Sequence, residues 1–276
     1  GTAPLAKLVC GSEGTLAAVA AAQLDLVPIP PSKGLGVVFF ASVEEALAAT
    51  VALLELDPAG IEHIDDVLFD QTRGQRAFKA ARELLELDAK PCKSLLLVEF
   101  YEDAADKLEG LAQRNLGLRT LVCRNAEEME RVWNLRKAGL SLLTGRKGAA
   151  KPIAGLEDVA VPPAELPAYV AALHKLIDDL GFEGSFYGHA ASGLLHVRPV
   201  VDLHRGDDIA AYRQLAEGTA ALARQFEGSF TAEHGVGMAR TEFVREQVGP
   251  ELYEVMRDIK DAFDPMHVLN PGKILG

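Results

Sequence analysis

The chain has three cysteines, one tryptophan and no apolar run long enough to cross a bilayer. About 18 consecutive apolar residues are needed to span the hydrocarbon core, so no transmembrane segment is expected. Cys10, Cys92 and Cys123 are odd in number and form no CxxC pair. They read as reduced thiols, with neither a disulfide framework nor an iron–sulfur cluster in this segment. Basic residues are also short: 28 Lys and Arg stand against 40 Asp and Glu, a formal charge of −12. A surface that acidic repels phosphate backbones and anionic lipid, and no basic stripe offsets it; no nucleic-acid partner is expected. Gly1-Thr2-Ala3-Pro4 carries no basic segment ahead of an apolar stretch, hence no secretory signal, and cytoplasmic residence is the expectation. No Met opens the sequence, so the chain is expected to begin partway along a longer protein.

What is present is an ordinary globular composition, 49% hydrophobic and 25% charged over 276 residues, enough for a large core. From Gly34 onward, strand and helix patterns alternate. Residues 36–40, 61–64, 94–100 and 118–123 read as strands. Ser42 with Glu45 three positions on is a capping box opening a helix to about Leu56. Residues 75–87, 104–113 and 127–143 read as helices. Two successive strand–helix–strand units predict an α+β fold with a split βαβ, ferredoxin-like antiparallel sheet and helices mainly on one face. Residues 163–180 place Leu166, Tyr169, Val170, Leu173, Leu176 and Ile177 on one helical face, and Gly181 stops that helix. A hairpin over 186–201 and a long helix over 207–226 follow. Residues 229–240 are rich in small residues, as a site loop would be, and an i, i+3, i+4, i+7 stripe marks a last helix after Pro250.

The hairpin carries the chemistry. A turn centred on Ser192-Gly193 places 191 opposite 194, 190 opposite 195 and His189 opposite His196. Two imidazoles at a cross-strand spacing of about 4.5–5.5 Å between Cβ atoms can converge on one metal. Alternation puts Tyr187 and Arg198 on the same face and sends Leu195 and Val197 into the core. A third ligand is available in Glu233-His234-Gly235, where glycine lets backbone approach a ligand closely. The alternative is that each histidine only satisfies a local hydrogen bond. Gly235-Val236-Gly237 lacks the strand–turn–helix context and third glycine of a dinucleotide fingerprint. Gly11-Ser12-Glu13-Gly14-Thr15 has no following Gly-Lys-Ser/Thr, so it is no ATP loop, though its backbone N–H groups suit another phosphate.

Four motifs in this order resemble the FAD-linked oxidases of the vanillyl-alcohol oxidase fold: Gly11-Ser12-Glu13-Gly14-Thr15-Leu16; Gly188-His189…Gly193…His196; Glu233-His234-Gly235; and Asp264-Pro265…Leu269-Asn270-Pro271-Gly272-Lys273. That family includes glycolate oxidase flavoprotein subunits, D-lactate dehydrogenases and D-2-hydroxyglutarate dehydrogenases. The Gly-rich FAD pyrophosphate region of the family is absent, so the chain resembles the C-terminal cap domain alone, and tight FAD binding by the fragment is not expected. The resemblance implies a remnant of the FAD-binding domain over 1–30, a substrate-binding cap domain over 31–228, and a site loop with a returning helix over 229–276. It implies FAD contacts at Gly11, Ser12, Glu13, Gly14, Thr15 and Asn270, and a divalent metal, zinc by preference, on His189, His196 and Glu233. It also implies His234 as general base, with Arg136, helped by Lys151, gripping a substrate carboxylate; Arg198 and Tyr187 join the substrate pocket.

The reaction implied is oxidation of a D-2-hydroxy acid to the 2-oxo acid, with flavin as hydride acceptor and the metal acidifying the hydroxyl. The implied partners are the small acid, the FAD-binding domain of the same protein, and a fused or separate iron–sulfur electron acceptor, with peripheral placement at the inner membrane through a partner. Two departures stand out. Arg198 occupies a position where metal-dependent relatives commonly have Asn, and Leu140 replaces a common hydroxyl residue; both point to a different acid, bulkier or more anionic, or to a shifted pose. The competing readings are a non-catalytic metal-binding or electron-transfer flavoprotein subunit, and a metal-free aryl-alcohol oxidase of the same fold.

Overall fold

The computed structural model describes residues 5–155 and 157–275. The chain divides into two compact units, Ile29–Gly228 on one hand and Gly1–Pro28 with Ser229–Gly276 on the other. Among the described residues no helix is long and apolar enough to cross a membrane, and the three cysteines are free thiols.

The larger unit is built on one antiparallel sheet. Its strands are β1 (Lys33–Phe40), β2 (Gly60–Asp65), β3 (Ser94–Tyr101), β4 (Arg119–Val122), β5 (Lys151–Pro152), β6 (Val159–Ala160), β7 (Gly184–His189) and β8 (Leu194–Val201). The spatial order is β4-β1-β3-β2-β7-β8-β5, with β6 paired to β8. The β4-β1-β3-β2 half is the split βαβ arrangement that the alternating pattern predicts, so the ferredoxin-like expectation is borne out. The helices Val43–Leu53 and Ala104–Gln113 connect its strands.

Alternation along β1 explains how the layers fill. Leu35, Val37 and Phe39 enter a core shared with Ile64, Leu95, Leu97, Val132, Leu135 and Tyr187, and full burial of each such side chain contributes about 1.5–3 kcal/mol. On the other face Gly34 and Gly36 bring helix Ala104–Gln113 close; a Cβ on Gly36 would stand 2.3 Å from Leu111 Cδ2. The predicted cap forms, since Glu45 N–H donates to Ser42 Oγ at 3.1 Å and the Glu45 carboxylate accepts from Ala41 N–H.

Three elements differ from expectation. Residues 127–143 form two consecutive helices, Ala126–Lys137 and Gly139–Thr144, with Gly139 at the junction packed against Leu68. The segment 75–87 shortens to a 3-10 turn and the helix Lys79–Leu84. Its buried Arg82 is held by the Phe69 carbonyl, Thr72 and Asp88, which fixes the chain there instead of letting the helix run on. The hairpin is also not a two-residue turn. Ala190–Ser192 forms a 3-10 turn and Gly193 closes it at φ +72°, so Tyr187, not His189, lies opposite His196. His189 instead pairs across to Glu62 on β2. A shift of two preserves the side of the sheet each side chain occupies, so both histidines keep the predicted face.

The smaller unit is organised by two polar anchors, one buried and one half-buried. Lys260, on helix Pro250–Phe263, donates to the Thr15 carbonyl (2.8 Å), the Leu269 carbonyl (2.8 Å) and Asp264 Oδ2 (2.5 Å). Glu13 accepts from the N–H groups of Val236 (2.5 Å) and Gly237 (2.8 Å), while Asn270 donates to the Glu13 carbonyl. The hydrogen bond from Lys260 holds the Asp264 carboxyl down at about 2.

Two stability outcomes are expected. Gly193→Ala meets both a positive φ and the Val161 carbonyl oxygen, 1.8 Å from an added Cβ. It should cost about 2–4 kcal/mol in urea denaturation of the chain, and a change under about 0.5 kcal/mol would contradict this turn geometry. For Asp264 the folded value lies below the ordinary 3.8, so its contribution is complete above that pH and is lost as pH falls toward about 2. Asp264→Asn should therefore lower stability at pH 7 and narrow its difference from the parent as the acid titration proceeds.

Candidate functional site

On the face of the sheet that carries Leu97 and Ile64, the polar residues gather where β2, β7 and β8 run side by side. Glu62 is opposite His189, and Tyr187 is opposite both Ile64 and His196. The imidazoles of His189 and His196 meet edge to face with centroids 5.4 Å apart, and Tyr187 packs on His196 at 5.3 Å. Each histidine is oriented through Nδ1. His189 Nδ1 is 2.5 Å from Glu62 Oε1, and His196 Nδ1 is 3.1 Å from the Glu157 carbonyl. An oxygen acceptor on Nδ1 fixes the tautomer with its lone pair at Nε2 and raises the basicity of that nitrogen, the arrangement typical of metal-ligating histidines. In that form each imidazole can bind a divalent ion through Nε2. Asp158, fully buried, offers a carboxylate oxygen within 4.8 Å of a ring nitrogen of His196.

Arg136 reaches the same cluster from the last turn of helix Ala126–Lys137. Its Nε and Nη2 both meet Glu62 Oε2, at 2.8 and 2.7 Å, and its guanidinium lies 5.2 Å from the Tyr187 ring centroid. That contact is within cation–π range. Glu62 thus joins a cation to an imidazole. Arg198, two residues beyond His196 on the same face, is buried; its Nη1 stands 3.8 Å from Glu157 Oε1. Lys151 does not join this group. It lies opposite Val201, out of phase with His196 and Arg198, and its exposed ammonium donates to the Arg146 carbonyl. Leu140 is half exposed.

In the smaller unit Glu233 and His234 are adjacent, with His234 Nε2 3.5 Å from Glu233 Oε1. They line a cavity of about 530 Å³ with Gly11, Glu13, Phe230, Val244 and Met256. The Gly11–Thr15 segment turns through positive φ at Gly11, Glu13 and Gly14, and space around both glycines is open. That leaves its backbone approachable, which fits a cofactor contact, whereas the Glu13 carboxylate is committed to the Val236 and Gly237 N–H groups. Ser12 and Thr15 are buried, and the Thr15 hydroxyl donates to the Ser12 carbonyl.

Sequence reasoning missed Glu62, Glu157 and Asp158. Glu62 had a signal: it is an acid in the middle of the short strand Ile61-Glu62-His63-Ile64, where a half-buried charge needs a partner. Asp158 had none, because its place beside His196 depends on the short β6 pairing to β8.

Comparison with known proteins agrees with this geometry. Residues 29–274 match the family of FAD linked oxidases, C-terminal domain. The chain is 33% identical to D-2-hydroxyglutarate dehydrogenase of Escherichia coli over 284 residues, 98% of this chain and 28% of that protein. It is 30% identical to a probable mitochondrial D-lactate dehydrogenase of Danio rerio over 283 residues, 98% of this chain and 54% of that protein. The chain therefore spans just over a quarter of the length of the bacterial D-2-hydroxyglutarate dehydrogenases it matches. Among solved structures, 4-ethylphenol oxidase from Gulosibacter chungangensis shares the fold at a TM-score of 0.64 and 15% identity, over 91% of this chain and 55% of that one. p-Cresol methylhydroxylase does so at 0.64 and 14%, over 90% and 53%. With the motifs, the sheet and the family match in agreement, the chain belongs to the FAD linked oxidases, of which it carries the C-terminal domain.

Proposed function

We propose that this chain is the substrate-side part of an FAD-dependent dehydrogenase that oxidises a D-2-hydroxy acid to the 2-oxo acid with a divalent metal, zinc by preference, assisting. The observation that carries the reading is the pair of histidines on one sheet face, each with Nδ1 on an oxygen acceptor, next to Arg136. That is how a protein presents Nε2 to a metal beside an anion receptor. The names of the relatives, D-2-hydroxyglutarate and D-lactate dehydrogenase, agree with it. The domain assignment goes with the proposal: 31–228 as the substrate-binding cap, with 1–30 and 229–276 belonging to the FAD-binding part.

The proposed metal ligands are His189, His196 and Glu233, the last on the motif resemblance; bound there, the ion would polarise the substrate hydroxyl as a Lewis acid. FAD, bound chiefly by sequence outside this chain with contacts from Gly11–Thr15 and Asn270, supplies the two-electron acceptor. The remaining roles are positional or proton-handling. Arg136 holds the α-carboxylate through the guanidinium edge that Glu62 does not occupy, and Lys151 would need to swing from the Arg146 carbonyl to assist. Tyr187 walls the pocket between Arg136 and His196. His234, beside Glu233 in the site loop, takes the hydroxyl proton as general base. An iron–sulfur electron acceptor, cytoplasmic residence and peripheral attachment to the inner membrane complete the proposal.

In the full-length flavoprotein, His234→Ala should slow flavin reduction by the hydroxy acid at least about tenfold in stopped-flow measurements. A near-normal rate would remove it from the base role. Glu62→Gln keeps the shape but loses the charge that orients His189 and Arg136. Metal affinity, read by competition with a chelator, should weaken by about tenfold or more; unchanged affinity would falsify ligation by His189.

A further inference from the structure

Two guanidinium groups lie on the site face, and they are in opposite states. Arg136 is satisfied bidentately by Glu62 at 2.7 and 2.8 Å. Arg198 is 7% exposed, yet its Nε has no hydrogen-bond partner, and its ion pair with Glu157 stands at 3.8 Å, beyond hydrogen-bonding distance. Neither neighbour that could answer it does so closely. The Glu157 carboxylate accepts from the Gly155 N–H, and the Ser185 hydroxyl, opposite Arg198 in the register, donates to Asp65 Oδ1 at 2.9 Å. A guanidinium stays charged at any physiological pH, and a buried charge is tolerated when an anion completes its hydrogen bonds. The planar fork of arginine matches a carboxylate with two parallel bonds.

Placement says which carboxylate. His196 and Arg198 are two residues apart on one strand and point the same way, so their Cα atoms are separated by roughly 6.5–7 Å. An extended five-carbon 2-hydroxy diacid comes close to that span, with roughly 6 Å from its hydroxyl to the far carboxylate oxygens, and a four-carbon one reaches less far. A monocarboxylic acid held at His196 and Arg136 would leave the Arg198 donors unmatched, and a site with unmatched buried donors discriminates against such a substrate.

We propose that Arg198 is the receptor for the distal carboxylate of a dicarboxylic 2-hydroxy acid, and so the residue that selects diacids over monoacids. This deepens the proposed function and rests on it for the identity of the acid. The test uses full-length holoenzyme, with D-2-hydroxyglutarate and D-malate set against D-lactate and D-2-hydroxybutyrate. The parent should prefer the diacids, and Arg198→Gln should reduce the diacid-to-monoacid ratio of kcat/KM by about 30-fold or more. Arg198→Lys, which keeps the charge but loses the fork, should fall between the two and carries the test if the glutamine variant does not fold. Binding is read separately, as thermal stabilisation by 2-oxoglutarate against 2-oxobutyrate, and the advantage of the diacid should vanish in Arg198→Gln. Equal losses for diacids and monoacids, or a parent with no diacid preference, would overturn the selector role while leaving the hydroxy-acid reading intact. Stabilisation by 2-oxoglutarate that depends on Arg198, without oxidation of any hydroxy acid, would uphold the anion site and sink the dehydrogenase reading. No oxidation and no stabilisation would sink both.

Discussion

The carboxylate of Glu62 joins the two chemistries on which the site depends. One oxygen meets His189 Nδ1, and the other takes Nε and Nη2 of Arg136, so a single side chain orients an imidazole and a guanidinium. Neither contact is local: Arg136 arrives from a helix 74 positions later and His189 from a strand 127 positions later. A half-buried acid between two cationic or protonatable groups is stable only if both partners remain, because removing either leaves a poorly solvated charge. The site is therefore coupled, and the positions of His189 and Arg136 are set by the same atom group.

Strand parity does the rest of the assembly. The hairpin between β7 and β8 is longer than a two-residue turn, and its register is displaced by two residues from the symmetric pairing. An odd displacement would have turned His189 away from His196; an even one changes only the partner opposite each residue. The histidines approach diagonally, Tyr187 takes the place facing His196, and His189 gains Glu62 as its neighbour across the sheet. Gly193 makes this possible through a left-handed conformation in a space that the Val161 carbonyl would deny any side chain.

The smaller unit uses a different principle. Its loops carry little regular structure, so charged groups are bound to backbone atoms: Lys260 caps two carbonyls and Asp264, and Glu13 caps two N–H groups of the Glu233–Gly237 loop. Hydrogen bonds to charged groups contribute about 1.5–3 kcal/mol each, which offsets the conformational entropy that an irregular loop loses on ordering. The motif glutamate of the Gly11–Thr15 segment acts here through its carboxylate as a clamp on the loop that presents Glu233 and His234.

Period-two and period-3.6 patterning, caps and turn residues were enough to determine the split βαβ half of the sheet, the long helices and the shared face of His189 and His196. These features follow from local sterics and from which side chains must leave water. The elements that went differently are those where a distant group intervenes. Arg82 is pinned by Phe69 and Thr72, Gly139 is packed against Leu68, and the β7–β8 turn is shaped around Val161. Glu62, Glu157 and Asp158 entered the site for the same reason, since strand order and cross-strand register bring them to the histidines and no spacing in the chain encodes either. Side-chain periodicity is a property of the local backbone, whereas the partner of a buried charge is chosen by whichever segment the completed sheet places beside it.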